Sequence, residues 1–127
     1  MRFLLLAGLA LTTGCATKYA PLSGRGGYIE LPQGPDTYDV SFSGNGMVPP
    51  DLLESYLLYR CAEVTEATGA RYFEIQARGT EPKTGEAILP QYVYATIKVS
   101  EKEPRGRGEW FEAGVLMKQL EPYVMGD

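Results

Sequence analysis

One amphipathic helix near the middle of the chain restricts the fold more than any other feature. Pro49 and Pro50 suit the first turn of a helix, where their missing amide hydrogens would have no partner, and Gly69 suits its end. Apolar side chains share one face between these points, at Leu53, Tyr56, Leu57, Cys61, Val64 and Ala67. The side chains that lie opposite are Glu54, Ser55, Ala62, Thr65 and Glu66. The pattern predicts a helix over residues 50–68 whose apolar face covers a sheet.

Three segments around this helix alternate apolar and polar side chains, as a strand with one buried face does. They lie at residues 38–42, 72–77 and 91–99. A second helix is predicted from Ala113 to Leu120, ending before Pro122, whose ring is incompatible with a helix interior. The order β-α-β-β-α predicts an α+β fold, with a small antiparallel sheet and the main helix packed on one face.

Residues 1–15 have the pattern of a bacterial lipoprotein signal. Arg2 supplies a positive charge, an apolar run follows, and small residues precede Cys15. The apolar run is about half of the roughly 20 residues that a spanning helix needs, so we expect the leader to be removed. Cleavage before Cys15 and acylation of its thiol would anchor the chain in a membrane. The alternative is an ordinary secretory signal cut after Ala16, because Gly14 and Ala16 are small.

The stretch after this cysteine has no periodic pattern. It is interrupted by Pro21, Gly24, Gly26, Gly27, Pro32, Gly34 and Pro35. This composition favours a flexible tether, within which residues 28–31 fit a short edge strand. The expected organisation is a lipoprotein signal peptide at 1–14, a lipidated tether at 15–36 and a single α+β domain at 37–127.

The composition excludes most catalytic chemistry. The chain has no histidine, so a Ser-His or Cys-His nucleophile pair cannot be built, and one usable thiol cannot make a zinc site. With 12 basic and 16 acidic side chains, the formal net charge is −4, which argues against a nucleic-acid partner. If Cys15 carries lipid, Cys61 has no disulfide partner and is expected to be a buried, inert thiol. No catalytic residue, cofactor or metal is predicted.

Arg60 is the most unusual residue of the main helix. Helical projection places its guanidinium within the apolar face, where an unpaired charge is unfavourable by several kcal/mol. Glu63, one turn away, is the nearest candidate partner, and Tyr56 offers a ring face. A structural ion pair between Arg60 and Glu63 is the favoured interpretation. The alternative is that Arg60 binds a carboxylate of a peptide or cell-wall fragment.

Tyr92 and Tyr94 lie on the strand face opposite Val93 and Ala95. We expect the terminal helix or the tether to cover these two rings as a second layer. If that face is uncovered, the rings are candidates for stacking on sugars or on side chains of a partner.

Three motifs carry a resemblance to a known family. They are Tyr38-x-Val40-x-Phe42-x-Gly44-Asn45-Gly46, then Tyr59-Arg60-Cys61-Ala62-Glu63, then Gly69-x-x-Tyr72-Phe73. In this order and spacing they resemble a family of small proteobacterial envelope lipoproteins of uncharacterised function, over roughly residues 36–75. The resemblance implies an envelope lipoprotein of the same fold and supplies no activity. By analogy with such proteins, Ala16 after the cysteine favours the outer membrane, with the domain facing the periplasm.

Together these features predict a noncatalytic interaction or envelope-maintenance module, held to a membrane by its lipid anchor. Its partners would be envelope proteins or peptidoglycan. The alternative is a binding protein for a small ligand or a peptidoglycan fragment, using Arg60 and exposed tyrosines.

Overall fold

The computed structural model describes residues 15–82, 85 and 87–126, so the predicted leader lies outside the described residues. The described part forms one sheet and two helices. In chain order the elements are β1 (Gly27–Pro32), β2 (Thr37–Gly44), α1 (Pro50–Ala67), β3 (Tyr72–Gly79), β4 (Gln91–Ser100), β5 (Glu109–Glu112) and α2 (Ala113–Val124).

The five strands form a single antiparallel sheet in the order β1-β2-β4-β3-β5. The predicted α+β class, with an antiparallel sheet covered by a helix, is therefore confirmed. The strands predicted at residues 38–42, 72–77 and 91–99 correspond to β2, β3 and β4, which lie at the centre of the sheet. Two edge strands complete it. Strand β1 contains the short edge strand predicted at residues 28–31, and β5, which was not predicted, has only four residues, too few to show a period.

One face of the sheet, called here the inner face, carries the core. Alternate residues of the central strands point to it, and Phe42, Phe73 and Ile97 are fully buried there. They pack against the apolar face of α1 in two adjoining clusters. The residues that α1 contributes are Leu53, Tyr56, Leu57, Tyr59, Cys61, Ala62 and Val64.

Helix α2 lies beside α1 on this same side of the sheet. Its Ala113 and Leu116 belong to the cluster that contains Ala62. Ala62 and Thr65 are fully buried, although helical projection placed them opposite the apolar face. That prediction was wrong because a second helix, not solvent, covers this side of α1.

The predicted end of the last helix is also corrected. Helix α2 continues through Pro122 to Val124, and the Met125 N–H donates to the carbonyl of Glu121 at 2.8 Å. Pro122 is exposed and lies in the last turn, so it removes one backbone hydrogen bond near the end of the helix. Val124, just beyond it, is buried against the core. Packing of this last turn outweighs the effect of the proline.

The predicted tether at 15–36 is wrong as a flexible segment. Strand β1 pairs with β2 along its whole length. Residues 20–22 run along the other side of β1, since the Tyr28 N–H donates to Ala20 and the Leu22 N–H donates to Tyr28, both at 2.9 Å. Thr17, earlier still, is buried. The domain therefore begins next to Cys15, because backbone hydrogen bonds order this segment without any side-chain period.

Candidate functional site

Arg60 and its neighbours form an ion-pair network between α1 and β1. The Arg60 Nε and Nη2 atoms donate to the two carboxylate oxygens of Glu30, at 3.0 and 2.9 Å. Nη1 donates to Glu63 Oε1 at 3.1 Å. The predicted pair with Glu63 is thus present. The bidentate partner Glu30 escaped prediction, because nothing in the sequence placed the predicted edge strand at residues 28–31 beside α1.

Aromatic rings enclose this ion pair. The guanidinium carbon of Arg60 lies 4.0 Å from the centroid of the Tyr28 ring, where a cation–π contact forms. The hydroxyl of Tyr19 donates to Glu63 Oε1. The Tyr19 ring in turn contacts the rings of Tyr28, Phe42, Tyr56 and Tyr59. The five residues Tyr19, Tyr28, Glu30, Arg60 and Glu63 are called the Arg60 cluster below.

Burial and hydrogen bonding in the Arg60 cluster fix the protonation states of Arg60 and Tyr19. Burial alone would lower the pKa of Arg60, but the hydrogen bonds to Glu30 and Glu63 outweigh burial and raise it above the ordinary arginine value. Burial, reinforced by the hydrogen bond to Glu63, raises the pKa of Tyr19 well above its usual value. Arg60 therefore stays charged and Tyr19 stays neutral at physiological pH.

This arrangement leaves Arg60 poorly suited to capture an anion. All three guanidinium nitrogens already donate to protein carboxylates, and two carboxylates face one guanidinium. An incoming carboxylate would find only the two remaining N–H groups and would be repelled by the carboxylates of Glu30 and Glu63. The geometry supports a structural role for Arg60. The Arg60 cluster connects the segment before β1 to α1, because Tyr19 in that segment donates to Glu63 on the helix.

A second set of contacts fixes the residue predicted to carry lipid. The Asn45 side-chain amide donates to the backbone carbonyl of Cys15 at 2.8 Å. The Asn45 N–H donates to Thr17 Oγ1 at 2.9 Å, and that hydroxyl donates to the Arg25 carbonyl at 2.8 Å. Cys15 itself is exposed. Its backbone is therefore held at the turn that follows β2.

Tyr92 and Tyr94 lie on the outer face of the sheet, opposite the core. In the β2–β4 ladder they pair with Ser43 and Ser41. Their ring centroids are 6.4 Å apart and the ring planes are inclined by 40°. The expectation that the terminal helix or the tether covers them is wrong, because α2 packs on the inner face and β1 extends the sheet at its edge.

The surroundings of these rings are mixed in polarity. Ile29 and Leu31 of β1 are exposed on the same face, and Asp39, Ser41 and the loop residue Pro82 complete a shallow depression. Asp39 accepts a hydrogen bond from Thr96 at 2.6 Å. The Arg60 cluster lies on the other side of the sheet. The structure therefore does not combine Arg60 and these tyrosines in one binding site.

The remaining thiol has no exposed surface. Cys61 is fully buried in the core, and burial raises the pKa of its thiol. This is the environment of an unreactive thiol, as expected from the sequence. Within residues 15–82, 85 and 87–126, no group of three or more Cys, Asp or Glu side chains is arranged to hold a metal ion.

No helix in the described part of the chain is long and apolar enough to cross a membrane. Comparisons with protein-family models, with curated proteins and with solved structures found no match to this chain.

Proposed function

We propose that this chain is a noncatalytic lipoprotein that binds another component of the bacterial envelope through the outer face of its sheet. The observation that carries the proposal is this face of the sheet, on which no described helix packs, with exposed Ile29 and Leu31 and partly exposed Tyr92 and Tyr94 around one shallow depression. Exposed apolar and aromatic groups gathered in this way are typical of interaction surfaces. The lipoprotein signal pattern supports attachment to the outer membrane, with the domain in the periplasm.

Two features support a noncatalytic role. The chain has no histidine, the commonest general acid and base near neutral pH. The described groups with raised pKa values are tyrosines, arginines and a thiol, and their shifts come from burial or from ion pairs. The raised pKa values keep these tyrosines and the thiol protonated, so the shifts do not activate a nucleophile.

Lipid attachment is tested by labelling cells with radioactive palmitate. The wild-type protein should incorporate label, and a Cys15→Ser variant should not. Electrospray mass of the mature protein gives the second measurement. An unmodified chain that begins at Thr17 would contradict the lipoprotein assignment and support ordinary secretion.

The binding surface is tested by photo-crosslinking in living cells, with a benzophenone amino acid at position 94. The control carries the same group at position 123, because Tyr123 is a more exposed tyrosine that lies on α2. We expect a discrete adduct from position 94 only, weakened by Leu31→Asp on the same face. Identical adducts from both positions, or none from position 94, would contradict the proposal.

A second candidate is a glycan ligand, such as a peptidoglycan fragment. The specific observation in its favour is that two tyrosine rings lie beside Asp39 and Ser41, since sugars are bound by aromatic rings together with polar groups. Muropeptides should then raise the melting temperature of the wild-type protein but not that of Tyr92→Ala. No shift with either protein would exclude this candidate.

A further inference from the structure

The anchor position predicted from the sequence has a defined place in the fold. Asn45 binds the carbonyl of Cys15, and Thr17 ties the following residues to the same turn and to Arg25. A flexible tether of twenty residues would hold the domain about 25 Å from a bilayer. Here the backbone of Cys15 is itself part of the folded domain.

The topology shows which end of the molecule Cys15 occupies. Strand β2 ends at Gly44, next to the first residue of β4, Gln91, with which it pairs. Helix α1 starts nearby, and Val124 at the end of α2 packs in the same cluster as Val48. The turn between β1 and β2, at residues 33–36, lies at the opposite end of the sheet.

The surface around Cys15 has the chemistry of a membrane-contacting surface. Lys18 and Arg25 are exposed, line the same depression as Cys15, and make no ion pair within the described residues. Met47 is 52% exposed, and its N–H donates to the Asn45 side chain at 3.1 Å. Basic side chains near an anionic bilayer are attracted to its surface. Cys15, Lys18, Arg25 and Met47 are together called the anchor end.

We propose that the anchor end lies directly against anionic phospholipid headgroups, so that the domain is held on the membrane in one orientation. The carbonyl of Cys15 is bound to Asn45, and this limits the distance between the acyl chains and the folded body. Lys18 and Arg25 would face phosphate groups, while Met47 would contact the interface. The inference rests on the proposed lipid attachment for its occurrence in cells.

The orientation can be measured without cellular acylation. In the chain from residue 15 onward, Cys15 is exposed and Cys61 is buried, so a maleimide lipid in anionic vesicles should couple to Cys15 alone. Trp110 is the single tryptophan, and W110F removes it. In that background, M47W places a reporter at the anchor end. Q33W places one at the opposite end, where Gln33 is also exposed.

Quenching by headgroup spin-labelled lipid then reports proximity to the bilayer surface. We expect several-fold stronger quenching of the M47W reporter than of the Q33W reporter. A Gly-Ser spacer inserted between Cys15 and Ala16 should reduce this difference, and so should K18E combined with R25E. Circular dichroism of each variant confirms that it is folded.

The outcomes separate the two proposals. Equal quenching of both reporters, in folded protein coupled through Cys15, would overturn the fixed orientation and leave lipid attachment untouched. Absence of palmitate in cells would overturn the proposed anchor without changing the vesicle measurement. A difference that persists unchanged with the spacer would also contradict the inference, because the bound Cys15 would then not be its cause.

Discussion

At the scale of single residues, a charge on the apolar side of α1 is retained because β1 brings it a bidentate partner. Arg60 is one-fifth exposed, and its side chain bridges Glu30 and Glu63 over the ring of Tyr28. The pair with Glu63 is predictable from sequence, since residues three apart on a helix are neighbours. Glu30 is thirty residues away, and only the pairing of β1 with β2 places it there.

Replacing Arg60 with methionine should destabilise the domain by about 1–3 kcal/mol, because it leaves two partly buried carboxylates without their cation. Urea denaturation measures the change. Arg71→Met is the matched control, since Arg71 also pairs with a glutamate, Glu112, but is largely exposed, and it should change stability much less. Equal effects of the two substitutions would show that the Arg60 cluster is no more than a surface ion pair.

Stability should fall at alkaline pH through Tyr19. Burial and the bond to Glu63 hold the pKa of Tyr19 above its ordinary value near 10, so above that pH the unfolded chain loses this proton while the folded chain keeps it. The stabilisation is complete below pH 10 and is lost as the pH rises, by at most about 1.4 kcal/mol per pH unit. Urea midpoints between pH 7 and 11 should fall less steeply for Tyr19→Phe. The pKa values of Tyr56 and Tyr59 are also raised by burial, and both residues are present in wild type and variant. An identical decline of the urea midpoint in the two proteins would therefore assign the whole pH dependence to other groups and contradict this role of Tyr19.

At the scale of elements, the N-terminal segment shows that clustered glycines occur both in flexible linkers and in ordered, closely packed backbone. In a sequence, clustered glycines favour flexibility. In the fold, Gly26 and Gly27 have positive φ angles of 106° and 132°, and Gly27 lets the chain pass close to the backbone of Ala20 and Pro21. Sequence alone does not distinguish these uses, because both depend on the absence of a side chain.

Gly27→Ala should therefore be destabilising by about 2–4 kcal/mol, since its Cβ would lie 2.5 Å from the Pro21 carbonyl oxygen and its φ angle is unfavourable for alanine. Gly24→Ala is the control, because no atom lies within 4 Å of the added Cβ. Thermal or urea unfolding of both variants measures the difference. A tether would tolerate both substitutions equally.

At the scale of the whole molecule, both helices of the described residues pack on the same side of the sheet. The periodic segments predicted the three central strands, the main helix and the class of the fold, because each buries one face against the core. The short edge strand predicted at residues 28–31 is also confirmed and lies within β1. Strand β5 and the position of α2 depend on contacts distant in sequence. For that reason the sequence did not reveal that α2 packs on the face opposite Tyr92 and Tyr94.

Deleting residues 15–22 should lower the free energy of unfolding by about 2–4 kcal/mol. The deletion removes the partly buried ring of Tyr19 and the backbone hydrogen bonds along β1. Chemical denaturation of the shortened and full mature chains gives the comparison. Unchanged stability would restore the interpretation of this segment as a tether outside the domain.

Val124 belongs to the same hydrophobic cluster as Val48, so the end of α2 lies at the same pole of the molecule as Cys15. In the proposed orientation on the membrane, a fluorescent protein or epitope fused after residue 126 would emerge at the lipid surface, where it would compete with headgroup contact. The exposed turn at residues 33–36 points away from that pole and is the better insertion point for imaging and purification.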